Sequence, residues 1–125
     1  MELDYSFLRL AILDIIINNA DRKAGHILRD QQDNIWGIDN VLSFHTDRKL
    51  RTVIWDYSGL EIPPDWCSEL ENLHTLIKDS SNDHHVFSIL SDREVSAMLA
   101  RLENLIETGI LPDMFYERCV PWPLI

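Results

Sequence analysis

The chain has 125 residues, 46% of them apolar, with 21 acidic side chains against 11 basic and a formal net charge of −10. That length fits one small domain, read here as residues 1–125, and the apolar share with four dispersed tryptophans excludes a disordered chain. So acidic a molecule repels phosphate backbones and anionic membranes, which excludes nucleic-acid binding through a general positive field.

Leu3, Phe7, Leu10, Ala11 and Ile15 recur at helical spacing, and Ile12, Leu13, Ile16 and Ile17 widen the stripe. A mostly buried helix over about 3–17 is expected, ending at Asn18-Asn19, residues that tolerate left-handed backbone. Between His26 and Ile38, two short apolar runs flank the polar stretch Asp30 to Asn34, which predicts a hairpin. Residues 39–50 read as a loop, and Arg51 to Tyr57 as either strand or irregular chain.

After Pro63-Pro64, a second amphipathic helix is expected over about 65–79, with Trp66, Leu70, Leu73, Leu76 and Ile77 on one side. Residues 80–85 form a polar linker in which His84-His85 is solvated. Ser91 and Glu94 make a capping box for a third helix, whose stripe runs Val95, Met98, Leu99, Leu102, Leu105, Ile106 before Gly109 stops it. The proline-bearing tail is expected to be extended, packing Phe115, Tyr116 and Trp122 onto the body.

Cys67 and Cys119 lie far apart in no metal-type spacing, so two free thiols in a reducing, cytoplasmic compartment are expected. The start of the chain reads as no signal peptide. The longest apolar run, Leu10 to Ile17, is interrupted by Asp14 and too short for a membrane span.

Two loops carry the chemistry. The first reads Asn18-Asn19-Ala20-Asp21-Arg22-Lys23-Ala24-Gly25-His26, and the second Gly37-Ile38-Asp39-Asn40-Val41-Leu42-Ser43-Phe44. Taken singly, an Asp after Asn-Asn, or in Ile-Asp-Asn after a strand, is an ordinary cap or turn residue. Together, and in this order, they resemble the phosphatidylinositol 3-/4-kinase-like family. Type II phosphatidylinositol 4-kinases run an apolar helix into Asn-Thr-Asp-Arg and later carry Ile-Asp-Asn-Gly-Leu-Ala-Phe. Small actinobacterial kinase-fold proteins look closer, with Asn-x-Asp-Arg-Lys, a Gly-His pair, Gly-Ile-Asp and Arg-Thr-Val-x-Trp; here Arg51-Thr52-Val53-Ile54-Trp55 and Pro121-Trp122-Pro123 are similar to theirs.

The resemblance implies an α+β, mainly helical fold with one small hairpin, the C-terminal lobe of a protein-kinase-like fold. It implies an ATP-dependent phosphotransferase using Mg²⁺ or Mn²⁺, with Asp21 as the base that orients the acceptor hydroxyl and Asp39 as a metal ligand. Five residues after Asp21, on the first hairpin strand, such kinases place a metal-binding Asn; here His26 stands there. Imidazole suits softer ions, so His26 points to Mn²⁺ or to a hydrogen bond with phosphate. Arg22 and Lys23 are candidates to hold a phosphate or a substrate carboxylate. Val41 replaces a family glycine, which implies a differently shaped metal loop.

Nothing before Leu3 encodes the upper lobe that grips ATP in such enzymes, so the lobe is expected to need a missing N-lobe or a second chain as partner. The alternative is a non-catalytic remnant acting as an interaction or scaffold module.

Overall fold

Asp4 caps the first helix by accepting from the Ser6 amide at 2.9 Å, and α1 then runs Tyr5–Ile17. The computed structural model describes residues 4–79, 89–112, 120–122 and 125. Being apolar almost all round, α1 becomes the central post of the core, with Leu8, Leu10, Ala11, Ile12, Ile16 and Ile17 buried. Leu13 escapes the expected stripe and is 41% exposed. Asn18 closes the helix in left-handed backbone at φ 57°, and the Asn19 amide donates back to the Asp14 carbonyl at 3.0 Å.

A 3-10 turn, Ala24–His26, leads into β1 (Ile27–Arg29), which pairs antiparallel with β2 (Ile35–Gly37). The register sets Leu28 opposite Trp36 and Ile27 opposite Gly37. Strands of three residues hold little by themselves, and Asp30 organises the turn between them. Its carboxylate accepts from the Gln32 and Asn34 amides and from the Trp36 indole, each at 2.9 Å. Those donors, the indole first, hold the Asp30 carboxyl below its ordinary 3.8. His26, expected on the first strand, instead ends the 3-10 turn. Its carbonyl accepts from Ile38 at 2.9 Å, one step beyond the ladder.

The segment 51–57 is no strand. It makes one parallel bridge, Arg22 with Thr52, and is otherwise irregular. Two further helices, α2 (Pro64–Asp79) and α3 (Asp92–Thr108), close the core through Leu70, Ile77, Met98, Leu102 and Leu105. Leu76 is half-exposed, off the buried side of α2. The capping box forms as its spacing predicts: Glu94 N–H donates to Ser91 Oγ at 3.1 Å, and Ser91 N–H to Glu94 Oε1 at 2.9 Å. Gly109 ends α3 at φ 66°.

From α3, Arg101 Nε donates to the Ile16 carbonyl at 2.9 Å and Nη1 to the His45 carbonyl at 3.2 Å. A cation at the carbonyl end of α1 opposes the helix dipole, while burial pulls the guanidinium pKa down. Among the described residues the fold is thus α+β and mainly helical, with three α-helices and one two-stranded antiparallel sheet. No helix among them is long and apolar enough to cross a membrane.

The tail departs from expectation. Pro121 is buried, but Trp122 is 83% exposed and does not strap the body. Leu3, residues 80–85 with His84-His85, Phe115, Tyr116 and Cys119 lie outside the described residues. Cys67 is a half-buried free thiol.

Candidate functional site

The fold brings Asp21, His26 and Asp39 to one edge, where the loop after α1 meets the exit of the hairpin. His26 joins them. Its Nδ1 lies 2.8 Å from the Asp21 carbonyl and 3.3 Å from the Lys23 amide nitrogen. A carbonyl only accepts and an amide N–H only donates, so these contacts want opposite tautomers. With the proton on Nδ1 the ring donates to the Asp21 carbonyl; with the proton on Nε2, Nδ1 accepts from the Lys23 amide. In the first tautomer Nε2 is a lone pair, and it lies 3.4 Å from Asp39 Oδ2. That is long for a direct hydrogen bond. It is close to the spacing of neighbouring donors around an octahedral ion, about 3 Å for bonds of about 2.1 Å. A metal-bound His commonly gives its other N–H to a backbone carbonyl, the arrangement His26 has in that tautomer.

Asp39 supplies the opposing oxygen from an exposed position, with 57% of its side chain accessible, and holds left-handed backbone at φ 57°. The left-handed residues of this loop are Asp39 and Phe44. Val41 is not among the positive-φ residues, so its β-branch meets no such strain. Asp21 is partly exposed; its amide donates to Asn19 Oδ1 at 2.9 Å, which fixes the backbone and leaves the carboxylate outward. Lys23 Nζ stands 3.8 Å from Asp21 Oδ1. Among the described residues no group of three His, Cys, Asp or Glu side chains is placed to hold a metal.

Arg22 is a correction. Placed by its sequence beside the base as a phosphate or carboxylate holder, it is fully buried and points into the protein. Nε donates to Asp14 Oδ2 and Nη2 to Asp14 Oδ1, each at 2.9 Å, a forked pair with both partners inaccessible. Nη1 donates to the Ile38 carbonyl at 3.0 Å, and Nη2 also donates to Asn40 Oδ1. Asp14 further accepts from Asn19 Nδ2 at 3.2 Å. Burial pushes the Asp14 carboxyl up, and Arg22 pulls it back. The backbone of Arg22 is tied as well, to Arg51 and Val53 on the bridge to Thr52.

Sequence reasoning passed over Asp14, Asn19 and Asn40 as site-building residues. The signal was present in Asp14, a carboxylate breaking an apolar helical run, where an ion can be kept only if paired. Asn18, read as a turn residue, does more: its Nδ2 donates to the His45 and Asp47 carbonyls and its Oδ1 accepts from Lys49.

Two concavities lie elsewhere. A groove of 530 Å³ between Phe7, Ile27, Val53 and Tyr57 reaches Ala24 on the turn that carries His26, and another of 370 Å³ sits between α1 and α3 beside Arg101. Neither is lined by Asp21, His26 or Asp39. Leu28, Trp36, Ile38, Val41 and Leu42, on the hairpin and the loop after it, are exposed apolar residues.

No family model matches this chain, and no solved structure matches it. Protein Rv2133c of Mycobacterium tuberculosis is 32% identical to it over 120 residues, covering 96% of this chain and 43% of the relative. The chain thus spans less than half the length of that relative, whose name states no activity.

Proposed function

We infer that this chain is the lower, metal- and base-bearing lobe of an ATP- and metal-dependent phosphotransferase resembling the phosphatidylinositol 3-/4-kinases. The observation that carries this reading is His26 Nε2 standing 3.4 Å from Asp39 Oδ2 while Nδ1 lies 2.8 Å from the Asp21 carbonyl. His26 and Asp39 would hold Mg²⁺ or Mn²⁺, with phosphate oxygens and water as the remaining ligands. Such an ion neutralises charge on the phosphates during transfer. Asp21 orients the acceptor hydroxyl and takes its proton, and Lys23 beside it meets phosphate charge.

The partner in this reading is a second body, from further chain or another polypeptide, seated over the nucleotide. The exposed apolar residues of the hairpin and the Asp39 loop and the relative's greater length support it. The place of action is the cytoplasm, where Cys67 stays reduced.

The test is thermal unfolding with ATP and either Mg²⁺ or Mn²⁺, beside Asp39→Asn. Ligand at ten times its dissociation constant adds roughly 1.4 kcal/mol, a rise on the order of 3–6 °C. A metal-dependent rise that the variant loses supports the reading. No rise with either metal moves the chain to the alternative, a kinase-like remnant with a binding role.

A further inference from the structure

We propose that the buried Asp14–Arg22 pair is the positioning element of the candidate site, setting the Asp21 loop and the Asp39 loop relative to each other from inside the core. This rests on the reading of His26 and Asp39 as metal donors. Neither residue touches the site's outer face, and both are inaccessible. Asp14 is anchored on α1, the most buried element, and reaches both loops. Through Asn19 it reaches the amide of Asp21. Through Arg22 it reaches the Ile38 carbonyl and Asn40 Oδ1, on either side of Asp39. Asp39 is held at φ 57°, left-handed backbone that is uncommon for a non-glycine residue although Asp tolerates it better than most. The Arg22 guanidinium is the group in contact with both flanks.

Charge is not required for stability at such a place. A buried ion pair replaced by well-packed apolar side chains of similar volume is often neutral or stabilising, whereas removing one partner leaves an uncompensated charge. The pair therefore separates a stabilising role from a positioning role. The guanidinium fork supplies donors to residues 38 and 40 that no aliphatic side chain can supply.

The experiment titrates Mn²⁺ into the full chain and reads paramagnetic broadening of the His26 ring protons by NMR, with the amide signals of residues 38–41 recorded before metal is added. Three proteins are compared: wild type, the double variant Asp14→Leu/Arg22→Met, and Asn40→Ala. The double variant removes the fork without stranding a charge. Asn40→Ala removes one exposed acceptor, and folds even if the double variant does not.

The expected result is wild-type helix content in both variants, collapse of the 38–41 amide shifts toward random-coil values, and a Mn²⁺ requirement raised about tenfold, the usual cost of losing a supporting partner of a metal ligand. Variants with wild-type amide shifts and wild-type Mn²⁺ response overturn the proposal and leave the pair a stability feature. If the wild type itself shows no Mn²⁺ broadening, the metal reading falls, and the amide signals alone decide whether the pair holds the Asp39 loop.

Discussion

Gly37→Ala tests how tightly the site loop is pressed onto the core. A methyl carbon at Gly37 would lie 2.7 Å from Leu10 Cδ1 and 3.1 Å from both terminal nitrogens of Arg22. Leu10 is buried and Arg22 is held on its Asp14 fork, so neither yields freely. Overpacking of this kind costs about 1–3 kcal/mol. With an unfolding entropy of about 0.26 kcal/mol/K for a chain this long, the midpoint falls by about 4–12 °C. Urea unfolding followed by tryptophan fluorescence measures the loss. The cause is checked by a cycle with Leu10→Val, which removes the nearest atom at a cost of about 1 kcal/mol alone. In the double variant the two losses should sum to less than their separate values, by about 1 kcal/mol. A Gly37→Ala loss under 0.5 kcal/mol, or strict additivity, would refute the close approach as the reason for glycine.

Three further outcomes are expected. Ser91→Ala removes the acceptor of the Glu94 amide and should cost about 1 kcal/mol, about 4 °C in thermal unfolding. Asn18→Gly keeps the left-handed backbone but loses three side-chain hydrogen bonds to residues 45–49, and should destabilise by about 1–3 kcal/mol; a neutral result in chemical unfolding would show that the loop is held by other contacts. The Trp36 indole N–H signal, followed by NMR on acidification, should shift with a midpoint below 3.8 as Asp30 takes a proton. The sign follows from the depressed folded value. Asp30 supports the hairpin above the ordinary Asp range, and that support disappears as pH falls through the lower value. A midpoint at or above 3.8 contradicts the turn geometry.

Local rules made much of this fold legible. The capping box at Ser91 and Glu94, the glycine stop at 109 and the asparagine stop at 18 involve residues close in sequence, so their chemistry is visible without the tertiary structure. The hairpin was legible for the same reason, since its polar turn and apolar flanks lie within a dozen residues. His26 was displaced from strand to turn because its ring nitrogen is captured by the Asp21 carbonyl, a contact no pattern of apolar residues reports. Arg22 misled because a cation beside a candidate base looks like a phosphate holder from the sequence. Its inward orientation follows from Asp14, eight residues back on a buried helix face. Trp122 was expected inside because it is large and apolar, yet size alone does not bury a side chain when the adjacent Pro121 takes the contact.

The Arg101 latch has a consequence for synthesis. Residues 4–57 hold all the candidate chemistry, but the last turn of α1 is tied to a guanidinium 85 residues later in the chain. As the polypeptide leaves the ribosome, the early segment emerges with its helix end, and the loop at His45, still without that cation. Its large apolar helix waits for α3 to cover it, and over that interval the nascent chain is a natural client for a chaperone. The order of emergence thus puts the site ahead of the helix that latches the end of α1.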